Sequence, residues 1–172
     1  IKGDVGNDTM DGGAGIDRLF GEEGDDWLYG GDDVDVLDGG SGNDRLFGDG
    51  ARDTLKGSSG NDTLEGGADR DRLYGQTDDD VLRGGDDRDV LDGGSGNDFL
   101  AGDGGNDTVI GRNGDDTLHG DAGVDALYGN GGADVFLFTT LTSSVDYALD
   151  TIRDFVQTVD RIDVSALGFS GI

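Results

Sequence analysis

The stretch Gly84-Gly85-Asp86-Asp87-Arg88-Asp89-Val90-Leu91-Asp92-Gly93-Gly94-Ser95-Gly96-Asn97-Asp98 writes one six-residue loop twice, nine residues apart. The first loop carries Asp87-Arg88 where the second carries Gly96-Asn97. Extended both ways, the nine-residue frame runs without a gap from Gly3 to Leu137, in fifteen copies. Position 1 is Gly and position 6 is Asp in every copy. Position 8 is always apolar: Met10, then mostly Leu, with Val109 and Phe136 as variants. Unbroken self-similarity of this kind is the signature of a solenoid.

The pattern has a mechanical reading. Positions 7 to 9 form a very short strand, with position 8 inward and positions 7 and 9 outward by the alternation of strand side chains. Positions 1 to 6 form a turn in which Gly permits positive φ and close backbone approach. Two nonapeptides complete one coil, so repeats n and n+2 stack about 4.8 Å apart. The expected fold is all-β, a right-handed parallel β-roll of about seven coils, with two sheets, two rows of loops and a C-terminal capping segment. The expected boundaries are 1–137 for the roll and 138–172 for the cap, within one structural domain.

Composition decides the kind of partner. Asp and Glu number 39 against 12 Lys and Arg, a net charge of −27. So negative a chain repels nucleic acid and anionic membrane surfaces and attracts cations. One inward side chain per nine residues is too thin a core to offset the entropy of ordering the rest, and stacked Asp rows add repulsion. Hard cations with oxygen ligands reverse that sign, and Ca²⁺ suits flexible sites of carboxylates and backbone carbonyls. The chain should be largely unfolded without metal and folded with it. It has no Cys, which fits a secreted protein that folds without disulfides. No apolar run is long enough for a membrane span or a secretion-signal core. The abrupt ends read as a fragment of a longer chain.

These repeats resemble the RTX (repeats-in-toxin) family of bacterial type I secreted proteins. That resemblance implies a β-roll that folds on Ca²⁺ after export to the extracellular medium. It also implies that calcium is held by the position-6 carboxylates Asp8, Asp17, Asp26, Asp35, Asp44, Asp62, Asp80, Asp98, Asp107, Asp116, Asp125 and Asp134, with loop carbonyls. Downstream, Gly131 to Phe138, Asp150 to Phe155 and Asp160 to Ile172 look like the cap of serralysin-type proteases and of mannuronan C5-epimerases. The ending from Asp160 is especially similar to the R-modules of secreted alginate epimerases. In that family the R-module is non-catalytic, binds calcium and assists a separate catalytic module, in some members by binding alginate. The alternatives are a folding and secretion domain of another exported enzyme, a metalloprotease or lipase, or an adhesin repeat. In the cap, Phe136, Phe138, Ile152, Phe155 and Ile162 are expected to cover the open end of the roll.

The two rows of loops differ chemically. Loops of odd-numbered repeats carry Asn7, Asp25, Asn43, Asn61, Asp79, Asn97, Asp115 and Ala133 at position 5. Even loops carry Ile16, Val34, Arg52, Arg70, Arg88, Asn106 and Val124. Even loops also lose the position-4 Gly at Asp33, Ala51, Asp69 and Asp87. Arg52, Arg70 and Arg88, eighteen residues apart, should form a column. Either the column pairs locally with Asp53, Asp71, Asp89 or nearby loop acids, or it faces solvent and holds a polyuronate such as alginate. Calcium sites there should be weaker.

Other residues carry less. His119, the single histidine, sits at an outward position and reads as solvated. Trp27, Tyr29, Phe20, Phe47, Tyr74 and Tyr128 are also outward, for cross-strand packing or sugar stacking. Arg18, Phe20, Arg72 and Tyr74 on the even sheet form the second choice of carbohydrate face. No Ser-His-Asp or Cys-His set can be assembled, so no catalytic residue is expected and the chain is not an enzyme by itself. An ice-binding roll would need regular outward ladders of Thr, and Thr here is irregular.

Overall fold

The computed structural model describes residues 1–139 and 149–167. Among them the chain is an all-β parallel solenoid of about seven coils with almost no helix. Odd repeats build one parallel sheet and even repeats the other. Neighbouring strands are eighteen residues apart: Leu28 lies opposite Leu46, and Leu73 opposite Leu91. That register is the two-nonapeptide coil.

Alternation holds within each strand. In Trp27–Gly31, Leu28 and Gly30 are buried, whereas Trp27 faces out. The strands are longer than the expected three residues. Arg72–Thr77, for example, continues through the first three positions of the next repeat. Position-1 glycines point inward with no side chain, so the coils close enough to pair beyond position 9.

The core is a single file of position-8 side chains from Met10 to Phe136, all buried. Burying each contributes about 1.5–3 kcal/mol. Among the described residues Ala101 is the one buried apolar residue at another position, and Phe138 and Ile152 pack against the cluster.

Past Leu137 the nine-residue frame is lost but the coil is not. Thr151–Ile152 adds to Ala126–Gly131, and Arg161–Asp163 adds to Val135–Leu137. Phe136 is fully buried, Phe138 and Ile152 pack against the core, and the Phe155 ring lies 6.1 Å from that of Phe136. The expected cover is incomplete: Phe155 and Ile162 remain 39% and 48% exposed, because no described coil lies beyond them. Residues 140–148 and 168–172, including Phe169 of the resembling segment, are outside the described residues.

Candidate metal centres

Every position-6 Asp lies at the end of a loop, where the chain turns into the strand that buries position 8. From Asp26 onward its Oδ1 accepts the backbone N–H of the Asp one coil earlier; Asp8 and Asp17, in the first coil, have no such predecessor. Asp44 N–H donates to Asp62 Oδ1 at 2.8 Å, Asp62 N–H to Asp80 Oδ1 at 2.8 Å, and Asp71 N–H to Asp89 Oδ1 at 2.7 Å. The second oxygen has no such use. Oδ2 is buried without a hydrogen-bond partner at Asp8 and at every position-6 Asp from Asp26 to Asp134; Asp17 alone is not in this condition. A carboxylate oxygen removed from water with nothing bound to it is costly.

The position-1 glycine explains what that oxygen faces. A Cβ on Gly66 would lie 2.5 Å from Asp71 Oδ2 and 2.5 Å from the carbonyl oxygen of Gly84 on the next coil. Gly84 repeats this with Asp89 Oδ2 at 2.5 Å and the Gly102 carbonyl at 2.7 Å. Two acceptors therefore crowd one space with no donor between them. Gly is required there because any side chain would fill that space.

The electrostatics report the same conflict. Burial, partly opposed by the N–H of the preceding Asp and reinforced by neighbouring carboxylates, pushes Asp80 and Asp89 up to about 8. Asp53, Asp62 and Asp116 rise to about 7, and Asp44 to about 6, for the same leading reason. Such a group is stabilised either by a proton or by a cation. Carboxylate and carbonyl oxygens from two coils, with no sulfur or nitrogen ligand, are a hard-cation donor set of the kind Ca²⁺ accepts.

The array matches the family of RTX calcium-binding nonapeptide repeats in four copies, over residues 1–19, 11–46, 47–82 and 65–100. Together these span more than half of the chain. The chain belongs to the RTX calcium-binding repeat family. RTX nonapeptide repeats bind calcium ions, and their proteins are typically exported by type I secretion. The C-terminal half, residues 89–171, is similar to the Peptidase M10 serralysin C-terminal family. Both are non-catalytic kinds of domain. No curated protein matches the chain. No helix among the described residues is long and apolar enough to cross a membrane.

Within this RTX roll, Asp53, Asp71 and Asp89 have the same bonded Oδ1 and orphaned Oδ2 as the Asp residues named from the sequence. The two loop rows nevertheless differ as their sequences do. On the odd row the position-5 side chains form a ladder: Asn61 Oδ1 accepts the Asp79 N–H at 3.1 Å, and Asp79 Oδ1 accepts the Asn97 N–H at 2.7 Å. Arginine has no acceptor oxygen, so the ladder is missing at Arg52, Arg70 and Arg88. Their loops share a left-handed residue at position 4, with φ of 74° at Ala51, 73° at Asp69 and 71° at Asp87.

Local pairing of this column is not formed. Arg52, Arg70 and Arg88 are exposed, and among the described residues none has a carboxylate within 4.0 Å. The reason is steric. Asp53, Asp71 and Asp89 have Oδ1 taken by a backbone N–H and Oδ2 turned inward. With Arg72, Asp71 and Val90 the three arginines line one groove.

Two further expectations are corrected. His119 is not solvated: its side chain is 12% exposed, with Nδ1 2.9 Å from Asp121 Oδ2 and Nε2 3.1 Å from Thr139 Oγ1, because chain following the last repeat covers it. The even-sheet carbohydrate face is broken, since Asp38 and Lys56, ion-paired at 3.0 Å, separate Phe20 from Tyr74. The aromatic cluster lies instead on the odd sheet. There Tyr29 stacks on Phe47 at 5.0 Å and Arg45 lies 4.8 Å from the Trp27 ring.

Asp150, Asp154 and Asp160 lie in the cap-like segments, but the sequence reading gives their carboxylates no role. Asp150 Oδ1 accepts the Asp125 N–H at 3.0 Å, and Asp160 Oδ1 accepts the Asp134 N–H at 3.2 Å. Asp150 and Asp160 take the position-6 place in the two halves of one coil that has lost the nine-residue spacing. The surviving signal is the tetrad Asp-x-apolar-x, in Asp150-Thr151-Ile152-Arg153 and Asp160-Arg161-Ile162-Asp163.

Proposed function

We propose that this RTX roll is the calcium-triggered folding and stabilising module of a bacterial protein exported by type I secretion, with a catalytic module elsewhere in the parent chain. The rows of orphaned Asp Oδ2 atoms facing backbone carbonyls carry this reading. Cytosolic calcium leaves the rows self-repelling, and the higher calcium outside would clamp coil to coil. The proposed ligands are the twelve Asp residues named from the sequence together with Asp53, Asp71 and Asp89. Residues 1–137 act as the roll and 138–172 as its cap. Circular dichroism and melting in excess chelator, then in millimolar calcium, test this. A spectrum and melting curve indifferent to the metal would end the proposal.

The finer reading makes the parent a mannuronan C5-epimerase and the module an arm that holds alginate or another anionic polysaccharide. It is supported by the resemblance from Asp160 to Gly171 and by a groove of unpaired arginines. Guanidinium forks suit carboxylates, and coils about 4.8 Å apart approach the rise of one sugar in an extended chain. A protease parent is the second reading, favoured by the similarity of residues 89–171 to serralysin C termini. Titration with alginate oligomers in saturating calcium separates them: binding supports the arm, and no binding leaves the passive module.

A further inference from the structure

The even row of position-6 carboxylates ends, by the nine-residue frame, at Asp125. Asp125 is 2% exposed and its Oδ2 is buried without a partner. The coil stacked beyond it comes from the cap. Asp150 there bonds the Asp125 N–H through Oδ1 at 3.0 Å, as each repeat Asp bonds its predecessor. The next residues then pair in register: Thr151 N–H donates to the Asp125 carbonyl at 2.7 Å, and Arg153 N–H to the Leu127 carbonyl at 2.9 Å. Among the described residues no hydrogen bond uses Asp150 Oδ2. Among the described residues no Lys, Arg or His nitrogen lies within 4.0 Å of the Asp150 carboxylate.

The odd row ends differently. Asp160 gives Oδ1 to the Asp134 N–H at 3.2 Å and Oδ2 to the Val156 N–H at 2.7 Å. Both its oxygens are spent on backbone donors. The two cap aspartates thus hold the same place in successive half-coils, but only Asp150 keeps an oxygen to offer.

We infer that Asp150, with the orphaned oxygen of Asp125, forms a terminal divalent-cation site that ties the cap to the roll, while Asp160 closes its row by hydrogen bonds alone. This inference rests on the calcium reading of the repeats and extends it past their frame. A cation there makes cap docking metal-dependent, so the end of the core over Phe136 is sealed only when the roll is loaded.

The test uses the whole chain in saturating calcium, comparing wild type with Asp150→Asn and Asp160→Asn. Asparagine keeps Oδ1 as an acceptor, so the coil can still form. Calcium per chain is counted by native mass spectrometry, and exchange of the Thr151 and Arg153 amides is followed by hydrogen–deuterium exchange. Asp150→Asn should bind one calcium fewer and lose protection at both amides, with the roll amides unchanged, while Asp160→Asn should keep the full count. An unchanged count in Asp150→Asn overturns the inference. An equal loss in both variants also overturns it, because that marks general loosening of the cap. A wild type that binds no calcium would remove this site and the reading of the repeats together.

Discussion

The backbone N–H of Asp62 donates to Oδ1 of Asp80 at 2.8 Å, while Oδ2 of Asp80 is buried with no donor. One side chain therefore joins two coils and leaves an uncompensated acceptor in the joint. Repeated along both loop rows, this makes stacking of the coils and occupation of the spaces between them a single event. A solenoid whose core holds one buried side chain per nonapeptide gains its cooperativity from that coupling.

Acid should substitute for metal. The folded values of about 6 to 8 at Asp44, Asp62 and Asp80 lie above the roughly 3.9 of an unfolded Asp. The folded, metal-free chain thus binds protons more tightly than the unfolded one. Its stability is greatest below about pH 4 and is lost as pH rises through 6 to 8. Circular dichroism in chelator from pH 3 to 9 should show β-structure gained on acidification. Calcium affinity should move the opposite way, weakening as pH falls below about 8, since the ligands must be ionised. A chelated chain unfolded at every pH would contradict the burial of these carboxylates.

Gly66→Ala and Leu73→Ala should separate the two contributions to the fold. Leu73 is wholly buried in the single-file core, and its truncation should cost about 2–5 kcal/mol while leaving the calcium count intact. A Cβ at Gly66 would instead sit 2.5 Å from both Asp71 Oδ2 and the Gly84 carbonyl. That variant should lose calcium at this joint as well as stability. Calcium counting at saturation beside thermal melts checks the distinction, and it disappears if Gly66→Ala binds the full complement.

The roll was legible in the sequence because each of its elements is fixed by residues inside one nonapeptide. Gly66, Asp71 and Leu73 play their parts without reference to anything farther than the neighbouring coil. Strand length was misjudged because positions 1 to 3 pair only once glycine has let the coils approach. Asp150 and Asp160 were hidden for a different reason. Their function is to continue a stack, and stacking depends on register in space, which survives although Asp150 lies sixteen positions after Asp134 instead of nine. Whether arginines pair also depends on where the acids point. Asp53, Asp71 and Asp89 are adjacent in sequence to the column, yet they turn away from it.

Replacing Arg52, Arg70 and Arg88 together with Ala should change stability in saturating calcium by no more than about 0.5 kcal/mol per site, the usual range for exposed positions without partners. Binding of a polyuronate, if the groove holds one, should be lost along with its dependence on salt. A large drop in melting temperature would mean that the column neutralises the Asp row at longer range than an ion pair. An unchanged alginate affinity would remove the groove from polymer binding.

The last coil explains why the roll stops at the cap. Asp154 follows the Asp150 tetrad where a repeat would place its position-1 glycine, and a side chain is tolerated because, among the described residues, no strand stacks on Thr151–Ile152 from the other side. Its carboxylate accepts the Gly129 N–H at 3.0 Å and the Asn130 N–H at 2.7 Å, donors that an added strand would otherwise satisfy. A sheet edge with free N–H groups invites pairing with another chain. Asp154→Ala should therefore associate with rising concentration in calcium, end to end through the exposed even sheet, relative to wild type. Sedimentation velocity over a concentration series measures this, and a variant that sediments as the wild type does throughout would show that the carboxylate is not what guards the edge.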